Sequence, residues 1–171
     1  MNRIQLATLL SWAAETGIQG RKRLQKVAFF LQQAGCPLNC EYTLHYFGPY
    51  SRDVADTCDE MVAAGLIEER GGREAGVMQY AYKLKPSTRD YLRQVADASM
   101  EKYENIGKEL IEENLYLLEL GSVILLYFRK CGDWRDALNQ ASRFKKTEFD
   151  RACSIEALNF AQRFVFSLVG P

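Results

Sequence analysis

The stretch SRDVADTCDEMVAAG (Ser51–Gly65) running into LIEERGGREAGVMQYAYKL (Leu66–Leu84) carries two hydrophobic periods in succession. In the first segment Val54, Cys58, Met61 and Val62 recur at helical spacing and Gly65 ends the pattern. In the second, LIEER opens a strand, Gly71-Gly72 and Gly76 bracket a loop, and VMQYAYKL alternates in twos. Met78, Tyr80, Tyr82 and Leu84 then share one side. A helix followed by a glycine-looped β-hairpin is the reading.

Working toward the N-terminus, EYTLHYF (Glu41–Phe47) reads as a short aromatic strand that Gly48-Pro49 stops. Pro49 suits the first turn of the next helix, with Ser51 as an alternative cap. Before the Cys36–Asn39 turn, RKRLQKVAFFLQQAG predicts a helix with Leu24, Val27, Ala28 and Leu31 on its apolar face, and Gly35 at its end. A first helix spans Arg3 to Glu15, with Gly17 ending it. Helix, helix, short strand, helix, hairpin is the order of a winged helix-turn-helix.

Beyond Pro86 the pattern is helical. Ser87 is the expected cap of TRDYLRQVADASMEKYE, and a helix from about Asn105 continues into the apolar run Leu115–Phe128 with a bend near Gly121. After the break at Cys131-Gly132-Asp133 come WRDALNQASRF and a last helix. Its stripe is Ile155, Leu158, Ala161, Phe164, Val165 and Leu168. The expected fold class is mainly α, within α+β: a winged-helix-like unit over residues 1–85 and a helical subdomain of about four helices over 86–171. No linker separates them, so one compact domain is the expectation.

Composition agrees with a soluble globular protein, 47% hydrophobic and 26% charged over 171 residues. Twenty-two Lys and Arg cancel twenty-two Asp and Glu. No overall positive field draws the chain to nucleic acid or an anionic membrane, so any DNA contact must be a local patch. The N-terminus lacks the basic-then-apolar layout of a signal peptide, and Leu115–Phe128 is too short to span a bilayer and contains Glu119. A cytoplasmic location with reduced thiols follows as the expectation, with no membrane partner.

No motif matches the spacing of a catalytic or cofactor site, so no catalytic residue, metal or cofactor is expected. His45 is the single histidine and reads as a packed or hydrogen-bonded side chain. Cys36-x3-Cys40 with His45 and Cys58 lacks the second closely spaced pair of a structural zinc site. Charge placement says more. Arg21, Lys22, Arg23 and Lys26 crowd the start of the second helix, at the positive end of its dipole, so something must compensate them.

In a DNA-reading winged helix the third helix enters the major groove. Here its outer positions are Arg52, Asp53, Asp56, Thr57, Asp59 and Glu60, with a net charge of −3. The hairpin is no more basic. A protein partner therefore suits the fold better than duplex DNA, with Tyr46 and Tyr50 as aromatic anchors. DNA binding through Arg21, Arg23, Lys26 and Arg52 is the alternative, and a homodimer is compatible with both.

Gly20-Arg21-Lys22-Arg23-Leu24-Gln25-Lys26, followed by HYFGPYSRDVADTCDEMVAAGLIEE (His45–Glu69), resembles the YwgA-like proteins of bacteria and archaea. It is more distantly similar to the Panacea (antitoxin-associated, SocA-like) domain. Panacea proteins usually carry Trp-x-Tyr-Gly-Pro where this chain has His45-Tyr46-Phe47-Gly48-Pro49. The resemblance implies a winged-helix-like fold with appended helices, no catalysis, and an antitoxin-like or adaptor role toward a protein partner.

Overall fold

The computed structural model describes residues 1–74, 77–95, 98–145 and 151–165. The chain opens with α1 (Arg3–Ser11), fixed by a capping box. The Asn2 side chain accepts from the Gln5 N–H, and the Gln5 side chain accepts from the Asn2 N–H. This helix stops four residues short of the expected Glu15, because Trp12 caps it and turns into the core. The two-residue strand β1 (Ile18–Gln19) follows, then α2 (Arg21–Gln33).

The expected single strand before the third helix is instead a hairpin, β2 (Thr43–His45) and β3 (Gly48–Tyr50), with His45 opposite Gly48. Gly48-Pro49 thus lies inside a strand and does not end one. Gly48 adopts φ +97°, and a Cβ there would fall 2.9 Å from Val123 Cγ2. Only glycine gives both the turn and the close approach.

Next come α3 (Arg52–Ala63), β4 (Ile67–Glu74) and β5 (Val77–Leu84). Gly71 and Gly72, expected in the loop, pair with Tyr80 and Gln79, which lengthens the hairpin; Gly76 lies outside the described residues. The sheet runs β1-β5-β4, all antiparallel, with Ile18 opposite Tyr82. The winged-helix strand that completes the sheet is therefore β1, ahead of α2, and not the aromatic segment ahead of α3.

The second half holds six helices among the described residues, where about four were expected: α4 (Pro86–Val95), α5 (Ala98–Glu101), α6 (Glu104–Glu112), α7 (Leu115–Cys131), α8 (Trp134–Lys145) and α9 (Arg151–Gln162). Pro86 itself opens α4, so Ser87 lies inside the helix and is not its cap. Glu113 is extended and Asn114 caps α7, separating it from α6. Gly121 sits within α7 and admits the Phe160 ring, whose nearest carbon is 3.0 Å from where a Cβ would lie. In α9 and the turn that follows it the inward stripe is Ala157, Phe160, Ala161 and Phe164, while Ile155 points to solvent. Leu168 lies outside the described residues.

The core centres on α2. Residues 24–31 are buried without a break, although only one face reads as apolar in the sequence. The winged half covers one side of the helix, and α6 and α7 cover the other. Phe30 meets the Phe160 ring of α9 at 5.1 Å and the Phe164 ring just beyond that helix at 4.7 Å. A helix enclosed on all sides is a shared core element of both halves.

Candidate functional site

The three cations of the first turn of α2, Arg21, Lys22 and Arg23, are compensated group by group. Arg21 donates through Nε to the Tyr82 hydroxyl (2.7 Å) and through Nη2 to Asp59 (2.8 Å) and Glu69 (3.2 Å). Lys22 pairs with Glu119 of α7 (3.3 Å) and lies over the Phe47 ring at 3.8 Å. Arg23 turns the other way and donates to the Ile111 carbonyl (2.8 Å) and the Glu113 carbonyl at the end of α6. A cation suits that helix terminus.

The next two residues hold the turn that leads into α3. Gln25 donates to the Ser51 carbonyl (2.9 Å) and accepts from the Ser51 N–H (2.8 Å), both buried. Lys26 donates from Nζ to the Pro49 carbonyl (2.6 Å). The Gly-Arg-x-x-Leu-Gln-Lys and Gly-Pro-Tyr-Ser segments are therefore two sides of one interface. Leu24 fills the core between them.

Between α2, the β2–β3 hairpin and α3 lies a cleft of about 280 Å³. Leu24, Val54, Ala55 and Cys58 give it apolar surface, and Phe47 and Tyr50 give it aromatic surface. Arg21, Lys22, Lys26 and His45 also line it, and no carboxylate does. Of the residues singled out from the sequence, the fold brings Arg21, Lys26 and Tyr50 together here. Arg23 is directed to α6 instead. Tyr46 stands outside the cleft on the hairpin tip, 78% exposed. Arg52 lies on the open face of α3, paired only with Asp56 at 3.5 Å among the described residues.

The sequence places Lys22 in the basic cluster without singling it out as a site residue, and it singles out neither Phe47 nor the apolar lining from α3. The helical recurrence of Val54 and Cys58 was visible, but it reads equally well as core. Thr57, expected on the outer face, is buried and donates to the Met1 carbonyl (3.1 Å).

Lys26 is only 2% exposed. Burial pushes its ammonium down to about 8, with Lys145 and Lys22 acting in the same direction and Glu119 opposing them. Burial pushes the Cys58 thiol up to about 12, so it stays protonated at neutral pH and is a poor nucleophile. His45 stacks obliquely on Tyr50 (5.4 Å, 40°) and, among the described residues, makes no hydrogen bond to a carboxylate or thiol. Among the described residues no three His, Cys, Asp or Glu side chains gather as a metal-binding group, and no helix is long and apolar enough to cross a membrane. The arrangement is a partly apolar concavity with a basic lining, and among the described residues that line it no nucleophile–base pair is present.

Outside the cleft, the hairpin presents Tyr46 and Phe47 edge to face at 4.9 Å, with Phe47 43% and Tyr50 37% exposed. The neighbouring cations are largely matched by acids: Arg3 with Glu60, Arg21 with Asp59, and Arg52 with Asp56.

No known family model matches the chain. It is similar to the uncharacterized protein YwgA of Bacillus subtilis (strain 168), with 29% identity over 122 residues, 71% of this chain and 73% of YwgA. The YwgA-like resemblance thus extends well beyond the two motifs. The Panacea resemblance gains no support from these comparisons.

Proposed function

We propose that this chain is a non-enzymatic regulator or adaptor that docks a protein partner on the aromatic β2–β3 hairpin and the adjoining face of α3. One observation carries the reading. Tyr46, Phe47 and Tyr50 are all exposed within five residues of chain, on a hairpin held rigidly to α2. Clustered, pre-positioned aromatics are the usual anchors of protein interfaces. The antitoxin-like form of this role is the one the Panacea resemblance implies, and a cytoplasmic location goes with it.

Duplex DNA is the competing reading, supported by the winged-helix order of elements. The acidic outer face of α3 weighs against it, because Asp56, Asp59 and Glu60 would meet phosphates. The pairing of Arg21 and Arg52 with Asp59 and Asp56 weighs the same way.

The test is site-specific photo-crosslinking from position 46 in the native cell, read by mass spectrometry. The expected result is one discrete adduct that disappears in a Phe47→Ala/Tyr50→Ala variant of unchanged fold. Absence of any adduct, together with duplex binding that weakens steeply with salt, would replace this reading with the DNA one.

A further inference from the structure

Lys26 leaves a charge uncompensated. Its buried ammonium has three donors, yet among the described residues it makes one hydrogen bond, to the Pro49 carbonyl, and has no carboxylate at ion-pair distance. Glu119 is instead engaged by Lys22 at 3.3 Å and Lys145 at 3.4 Å. A buried cation without a counter-ion is costly, and folds retain one chiefly where something else meets it.

The surroundings of Lys26 narrow what that partner is. Arg21, Lys22 and His45 share the cleft lining with it. The whole chain is charge-balanced, so the uniformly basic lining is a local property. Everything else around the space is apolar, aromatic or uncharged. The acids that neutralise Arg21 and Lys22 all lie outside the lining.

We propose that this cleft is a binding site for a small aromatic monocarboxylate, with the carboxylate on the Lys26 ammonium and the ring between Phe47 and the Val54–Cys58 face of α3. Volume agrees. A dry cavity of about 150 Å³ accommodates a benzene ring, and 280 Å³ leaves room for a second ring or a short acid arm. Charge-assisted hydrogen bonds to a carboxylate would use the free donors of Lys26. A free phosphate dianion would lose far more hydration against Val54, Ala55 and Leu24 than one buried ammonium returns. The site stands independently of the protein-partner reading, since its ligand binds the free chain.

The experiment is titration calorimetry on the full chain with phenylacetate and indole-3-acetate, against neutral phenylacetamide and inorganic phosphate. Expected are one-site binding of the carboxylates and at least tenfold weaker binding of phenylacetamide and phosphate. The Lys26→Met variant should lose the preference for acid over amide. Should that variant fail to fold, Ala55→Phe fills the cleft from α3 with Lys26 intact and should abolish carboxylate binding. Equal affinity for phenylacetate and phenylacetamide overturns the proposal, as does tighter binding of phosphate or no carboxylate binding up to ~10 mM.

Discussion

Gln25 and Ser51, twenty-six residues apart, are joined by two buried hydrogen bonds of 2.9 and 2.8 Å that reproduce a backbone pairing with a side-chain amide. Ser51 is fully buried and stands at the cap position of α3. The start of α3 is thereby set by α2, and the cleft between them has a fixed width.

Gln25→Leu keeps the volume and leaves the buried Ser51 N–H without its partner, while the Ser51 carbonyl keeps the Ala55 N–H at 3.4 Å. One buried backbone donor left unsatisfied costs about 1–3 kcal/mol. A loss of that size in urea unfolding is expected, and a loss under ~1 kcal/mol would show that water takes over the pairing.

Lys26 gives a pH signature. Its folded value near 8 lies below the ordinary 10.5. Between those values the unfolded chain holds a proton that the native chain lacks, so raising pH favours the native state. The buried charge thus costs stability fully below about 8, and that cost is relieved by about 10.5. Cys58, whose thiol is raised to about 12, works in the opposite sense above pH 9. Comparison with Lys26→Met cancels it. The stability of wild type relative to Lys26→Met should rise by on the order of 3 kcal/mol from pH 8 to 10.5. A flat difference would place the ammonium in contact with solvent.

Glu69 gives the acid-side counterpart. The Tyr82 hydroxyl, then Arg21, hold its carboxyl below the usual carboxylate range against the opposing effect of burial. Its contribution is present above the ordinary carboxylate value and is lost as pH falls through the depressed one. Glu69→Gln should therefore melt lower than wild type at pH 6, and the two should converge as the pH falls below the ordinary carboxylate range.

Gly107 faces Trp12 so closely that a Cβ would lie 2.3 Å from the ring. Alanine gains up to about 1 kcal/mol of helix propensity, but overpacking of this kind costs about 1–3 kcal/mol. Gly107→Ala should lower the melting temperature by several degrees, and Trp12→Phe should restore part of the loss in the double variant.

The helix–hairpin unit of residues 51–84 was legible because its two periods are clean and glycines mark its ends. Strand β1 was not, since two residues carry no period. The β2–β3 hairpin was misread because Pro49, normally a strand breaker, lies in a three-residue strand of a two-stranded sheet, where few N–H groups are needed. All-round burial of α2 depends on α6 and α7, far along the chain, which no local window contains. For the same reason the cleft was half visible. Its cations formed a sequence cluster, but Phe47 and Val54 reach it from two other elements.

The enclosure of α2 bears on how this protein can be dissected. A fragment ending at Lys85 would keep every strand of the winged unit yet strip Phe30 of its Phe160 and Phe164 neighbours and leave Arg23 without the α6 carbonyls. Such a fragment would be sticky and incompletely folded. The winged unit is not a portable cassette, because its helical companion supplies part of its core.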